Sequence, residues 1–281
     1  MSLGQDELSY IQKLVRDCSG IAIETGKEYL IESRLARLWR REGHRSIKEF
    51  VAHLKTKSFS SLHSEVALAL ATHETAFFRD ASAFEALRER ILPEMLERRA
   101  PARSLNLWSS ACSSGQEPYS VALALCEAVP DLANWSVRLL ASDMSPALVS
   151  RAVAGVYRKA EVERGLPAHL RDKYFERNGD DWQAVEYVRR MIEFRTINLV
   201  ETWPMLPRMD IVLMRHVLIY FDVPTKRKIF GKLRRILRPD GFVFLGAGET
   251  TIGVDDALEP IDTSTACCYR LSTHAAQPGA S

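Results

Sequence analysis

The chain carries four clusters of polar residues, each directly after a short apolar run. The first is Ser109-Ser-Ala-Cys-Ser-Ser-Gly115-Gln-Glu117. It has a single glycine and not the Gly-x-Gly-x-x-Gly pattern that lets a backbone approach a pyrophosphate. Glu117 stands where a helix begins, and its charge would repel a phosphate placed there. The loop suits a ligand with a cationic end and no phosphate. The second cluster, Ala141-Ser-Asp143, offers a carboxylate that can accept both hydroxyls of a ribose. Asn198-Leu199 and Arg215-His-Val-Leu-Ile-Tyr220-Phe221 are the third and fourth. Together they point to a nucleoside cofactor with a positive charge, as in S-adenosylmethionine. On spacing alone a nicotinamide enzyme stays open.

These clusters need elements to hold them. Residues 5 to about 75 read as helices, with Leu8, Ile11, Leu14 and Val15, then Ile31, Leu35 and Leu38, at helical spacing. Gly43-His44 and Ser58 to Ser61 are the joints. Phe84 to Leu96 is a further amphipathic helix. Beyond it, strands at Leu105–Trp108, Val137–Ala141, Ile192–Ile197, Ile211–Met214 and Phe242–Leu245 alternate with helices at Pro118–Val129 and Pro224–Leu237. Ser145-Pro146 is an N-cap followed by a first-turn proline. Pro239-Asp240-Gly241 reads as a turn. The alternation predicts a doubly wound parallel sheet, whose ligand crevice lies beyond the carboxyl ends of the strands. Gly155 to Arg190 interrupts it as a small insertion. The organisation expected is a helical domain over 1–80, a linker helix over 81–100 and an α/β domain over 101–273. The insertion occupies about 155–195, and a disordered tail 274–281.

The chain has 281 residues, enough for about two domains. Lysine plus arginine is 38 and aspartate plus glutamate 36, a net charge of +2 that gives no reason to expect a nucleic-acid partner. There is no signal-peptide pattern and no apolar run long enough to insert in a membrane. The five cysteines form no Cys-x-x-Cys pair and no zinc spacing, which fits reduced thiols in the cytoplasm and no metal.

At these residues the chain resembles the CheR-type chemoreceptor glutamate methyltransferases (chemotaxis protein methyltransferases). The matching stretches are Thr72-His-Glu-Thr75-Ala-Phe77-Phe78-Arg79, Cys112-Ser-Ser-Gly115-Gln-Glu117-Pro118-Tyr119-Ser120, Ala141-Ser-Asp143, Asn198-Leu199 and Arg215-His-Val-Leu-Ile-Tyr220-Phe221-Asp222. Each is weak alone, but their order and spacing together are specific. The resemblance implies an α/β fold: a small all-helical N-terminal domain plus a class I, Rossmann-like methyltransferase domain with a small inserted antiparallel β subdomain. It implies S-adenosylmethionine as donor, S-adenosylhomocysteine as product, and cofactor contacts from His73, Thr75, Arg79, Glu117, Asp143, Asn198, Leu199, His216 and Val217. His73 and His216 stand where the family generally has asparagine. The stretch from Tyr174-Phe175 to Phe194 is a few residues shorter than in enteric-type members, which favours a member that does not read a receptor C-terminal peptide.

The implied reaction makes a glutamate γ-methyl ester on the cytoplasmic helices of a methyl-accepting chemoreceptor. A glutamate with a reference pKa near 4.3 is already ionised at pH 7, so no general base is needed. Arg79 is the candidate to hold that carboxylate, and Tyr220 is the second catalytic candidate. Arg34, Arg37 and Arg41 fall within an arc of about 60° on one helix, a basic stripe for an acidic partner. Simpler readings stand beside these: a solvated arginine face, packing roles for Phe77 and Phe78, structural histidines, and a small buried Cys112. The alternative is a module of the same fold that binds receptor or cofactor with turnover reduced or lost. Nothing in the sequence requires more than a monomer.

Overall fold

A computed structural model of the chain describes residues 3–24, 26, 28–129, 131–263 and 266–272. The tail expected at 274–281 lies outside them. Two compact units emerge, Met1–Thr72 with Tyr220–Lys226, and His73–Ile219 with Arg227–Ser281.

The first unit contains α1 (Gln5–Ser19), α2 (Glu28–Arg41), α3 (Ile47–Thr56) and α4 (Ser61–Leu70). Their apolar stripes form one core, in which Ile11, Val15, Ile31 and Leu35 are fully enclosed, as the helical spacing predicts. Gly20, at φ 74°, ends α1. Phe221 bridges Ile21, and the Tyr220 carbonyl accepts the Ala22 N–H.

The second unit begins with α5 (Ala81–Ala86) and α6 (Leu92–Arg99), joined by a widened turn at Leu87–Ile91. The sequence reads one continuous helix there. Pro93 is the reason for the difference. It lacks the N–H that would bond the Glu89 carbonyl, and its ring would crowd that group. The Leu92 N–H bonds Leu87 O, five residues back. The chain continues through β1 (Ser104–Ser110), α7 (Gln116–Ala128), β2 (Ser136–Asp143) and α8 (Pro146–Ala154). Ser145 caps α8 through its side chain, accepting from the Leu148 N–H.

The insertion follows: β3 (Val156–Arg158), α9 (Lys159–Glu163), α10 (Ala168–Tyr174), β4 (Phe175–Asn178), β5 (Asp181–Ala184) and α11 (Glu186–Arg190). Its three strands form an antiparallel sheet in the order β3-β5-β4. Where the sequence looks irregular, the segment is a built subdomain of elements too short to show a period. The main sheet is completed by β6 (Ile192–Thr196), β7 (Met209–Met214), α12 (Val223–Ile236), β8 (Leu237–Leu245), β9 (Leu258–Pro260) and β10 (Cys268–Leu271).

The seven strands run in the order β6-β2-β1-β7-β8-β10-β9. The first five are mutually parallel, and β10 is antiparallel to both of its neighbours. Strand order reverses between β1 and β7, so the crevice opens beyond their carboxyl ends. Every residue of β7 is buried, as a parallel strand covered on both faces should be. Pro239-Asp240-Gly241 is not a free turn. It lies within β8 where the register against β7 shifts, Met209 facing Leu237 and Ile211 facing Phe242. Asp240 is fastened there by two hydrogen bonds from the Arg99 guanidinium, at 2.9 and 2.6 Å.

Candidate functional site

The four polar clusters begin at the carboxyl ends of β1, β2, β6 and β7. The loop after β1 is conformationally strained. Ala111 and Ser113 take left-handed backbone angles, φ 55° and 51°, and Gly115 follows at φ 96°. A Cβ on Gly115 would meet Ala152 at 2.8 Å and the Tyr157 hydroxyl at 2.9 Å, so only glycine fits this helix start. Among the described residues, seven non-glycine positions have positive φ; Ala111, Ser113 and His216 lie in these loops, and Phe78 and Asp80 in the 73–80 segment bonded to them. Such clustering marks sites where surrounding contacts over-determine the backbone.

Asp143 is the last residue of β2 and is buried. Its Oδ2 accepts the Ser113 N–H at 2.9 Å and its Oδ1 the Ser145 N–H at 2.9 Å. Burial pushes its carboxyl up, against those backbone hydrogen bonds. A carboxylate has about four acceptor positions, so these backbone bonds do not exhaust its capacity for a ribose hydroxyl. Ser113 also donates its hydroxyl to the His73 carbonyl at 2.8 Å, which ties the 73–79 segment to this loop. His73 and Thr75 then line a cleft of about 400 Å³ with Ser114, Gln116, Arg151 and Arg164. The 73–80 segment is further fixed by the Phe78 N–H on Ser120 Oγ at 2.9 Å. These bonds are why it groups with the second unit, ahead of the boundary at 80 read from the sequence.

Glu117 does not face the cleft as a bare charge. Its Oε1 accepts the Ser109 hydroxyl at 2.7 Å, and its Oε2 is 3.0 Å from a guanidinium nitrogen of Arg215. A nearly enclosed carboxylate would be costly without such a partner. Arg215, buried after β7, donates also to the Arg79 carbonyl at 2.6 Å and to Asp80 Oδ2 at 2.9 Å, and sits over the Phe84 ring. Asp80 is pushed up by burial, but the charges of Arg215 and His216 outweigh this and hold it below its usual range. The Arg79 guanidinium donates to the Glu74 carbonyl at 2.8 Å. Glu74 itself is held low, first by its hydrogen bond from Arg164.

His216 adopts φ 57°. Histidine is among the non-glycine residues enriched in this left-handed conformation. Its Nε2 is 2.7 Å from Asp80 Oδ2, at an angle outside hydrogen-bond geometry. Asn198 turns the chain after β6, its Oδ1 accepting the Val200 N–H. Leu199 is buried, and its carbonyl takes the Trp203 indole N–H at 3.1 Å and the Lys232 ammonium. Val217 is half-buried in the loop after β7.

Within one unit, hydrogen bonds thus join His73 to Asp143 through Ser113, while hydrogen bonds and ion pairs join Arg79, Glu117 and His216 through Arg215 and Asp80. Tyr220 is grouped with the helical unit, as are Arg34, Arg37 and Arg41. That arginine stripe is not wholly free. Arg34 donates to the Leu70 and Ala71 carbonyls and to Thr72 Oγ1, satisfying the exposed end of α4, and Arg41 pairs with Glu42 and Glu65. Arg37 is exposed. Cys112 is buried and burial pushes its thiol well up, as for a small packed residue. Arg215, Asp80 and Ser109 carry much of the site's order, and their role depends on contacts distant in sequence.

Comparison with known proteins gives two family models. The CheR methyltransferase all-alpha domain matches residues 6–70, and the CheR methyltransferase SAM binding domain matches residues 73–267. The chain is 34% identical over 274 residues to chemotaxis protein methyltransferase 1 of Pseudomonas aeruginosa, covering 96% of this chain and 99% of that one. It is 32% identical over 274 residues to chemotaxis protein methyltransferase Cher2 of Pseudomonas putida, with the same coverage. It is also 32% identical over 258 residues to the chemotaxis protein methyltransferase of Borreliella burgdorferi, covering 90% and 91%.

Proposed function

Because the chain belongs to the CheR methyltransferase family, and is thereby an S-adenosylmethionine-dependent methyltransferase of chemotaxis, we propose that its acceptor is a glutamate side chain on the cytoplasmic helices of a chemoreceptor. The product is a γ-methyl ester. The donor side of this reading is supported by the Asp143–Ser113–His73 linkage, in which a buried carboxylate at a strand end, of the kind that accepts ribose hydroxyls, is tied to the segment that lines the cleft. The glutamate acceptor follows from the family.

The bound donor supplies an electrophilic methyl on a sulfonium. The glutamate oxygen gains the bond to carbon as the bond to sulfur breaks, so opposite charges are annihilated. Water exclusion favours such a step, and this chain's residues contribute mainly alignment. Asp143 holds the nucleoside end, with His73, Thr75, Asn198, Leu199, His216 and Val217 as further contacts. Glu117, already shared with Arg215, orients the cationic end without binding it as an isolated charge. Arg79, anchored at one N–H by the Glu74 carbonyl, has further donors for the incoming carboxylate. Tyr220 is the second candidate at the methyl.

The test mixes the protein with methyl-labelled S-adenosylmethionine and receptor cytoplasmic fragments. Label released by mild alkali, as an ester requires, is the expected result. Label that resists alkali overturns the glutamate assignment. Cofactor binding without label identifies a module that has lost turnover.

A further inference from the structure

Resting on the cofactor reading above, we infer that Glu249 is a positioning residue for the donor site, acting through the loop that follows β7. Nothing in the sequence singles it out. Its residue is 5% exposed, yet its carboxylate meets three backbone donors. Oε2 accepts the N–H of Gly246 at 2.6 Å and of His216 at 2.9 Å, and Oε1 accepts the N–H of Ile219 at 3.1 Å. Together these three bonds satisfy a carboxyl group that is buried away from water.

The three donors belong to two different segments. Gly246 follows β8, while His216 and Ile219 flank Val217 after β7. One side chain therefore spans both strand ends and fixes the loop at each side of Val217. The fit is close. A Cβ on Gly246 would lie 2.7 Å from both His216 N and Nδ1, and 2.8 Å from Glu249 Oε2. His216 is held at φ 57° within this clamp. Residues in such angles persist only where neighbours over-determine them. The same loop begins with Arg215, which holds Glu117 and the Arg79 carbonyl. Releasing Glu249 loosens both the loop's own cofactor contacts and the arginine behind the cationic end of the donor.

The Glu249→Gln variant keeps the shape but places an amide N–H₂ against at least one backbone N–H. Calorimetry with S-adenosylhomocysteine should show its Kd weakened about tenfold, because the free loop relaxes to hydrate the donor left unsatisfied and binding must restore the ordered form. With labelled S-adenosylmethionine, KM for the donor rises in step, while kcat at saturating donor stays within about threefold. A merely structural role would lower the melting temperature of the free protein and leave Kd and KM of the folded fraction unchanged. A Kd within about twofold of the parent value overturns the inference. If the parent protein itself fails to bind S-adenosylhomocysteine, the cofactor reading falls and this inference with it. If Glu249→Gln does not fold, amide exchange of the parent protein without ligand decides. The His216 and Ile219 amides should be protected, and exchange at open-loop rates overturns the clamp.

Discussion

At the scale of single residues, the site is a set of carboxylates and guanidiniums whose partners decide what each can do. The Arg79 backbone carbonyl is tied to Arg215 and its side chain to the Glu74 carbonyl, which suits the orienting role proposed for it. Arg79→Ala should therefore lower methyl transfer by roughly 100-fold, the scale of a misaligned reactant, with a much smaller change in donor affinity. Labelled transfer near the parent rate would remove Arg79 from the reaction. Asp143 has the opposite signature. Asp143→Ala removes the proposed ribose acceptor and the anchor of the Ser113 and Ser145 N–H groups. Affinity for S-adenosylhomocysteine should fall roughly 100-fold by calorimetry, for two charge-assisted bonds lost. An unchanged Kd would show that the ribose lies elsewhere.

At the scale of elements, α2 has two tasks. Ile31, Leu35 and Leu38 face the helical core, while Arg34 reaches the carbonyls at the end of α4. Arg34→Ala should destabilise the helical unit by about 1 kcal/mol, read in its melting transition. Arg37→Ala should leave melting unchanged and slow receptor methylation at low salt only, because an exposed charge steers more than it binds. An equal effect of Arg37→Ala at high salt would count against steering. The α5–α6 region makes a related point: one proline changes the backbone pairing of a helix whose apolar spacing is otherwise regular.

At the scale of the whole molecule, strand order puts the chemistry at one edge of the sheet and leaves the opposite edge to ion pairs. There, hydrogen bonds from Arg99 hold the Asp240 carboxyl below its usual range, with burial opposing. A depressed folded value means that the stabilisation is complete above the unfolded value near 3.9 and is lost as pH falls through the folded one. Acidification from pH 5 to 3 should thus lower the melting temperature of the parent more than that of Asp240→Asn. Equal losses would show that Asp240 titrates normally. The helical core, the five parallel strands, the capped start of α8 and the four site clusters are all legible in the sequence. Each depends on a local period or on a motif read in order, and neighbours along the chain suffice to define it. The three-residue and four-residue strands of the insertion and the antiparallel edge are too short to carry a period. Tertiary structure alone decided that Arg34 is occupied, that Glu117 is neutralised by Arg215, and that Glu249 spans two strand ends. The physical reason is the same in each case. A charge's role is set by what lies within about 3 Å of it in the fold, and for each of these residues at least one such neighbour is supplied by a segment 30 to 98 positions away in the chain.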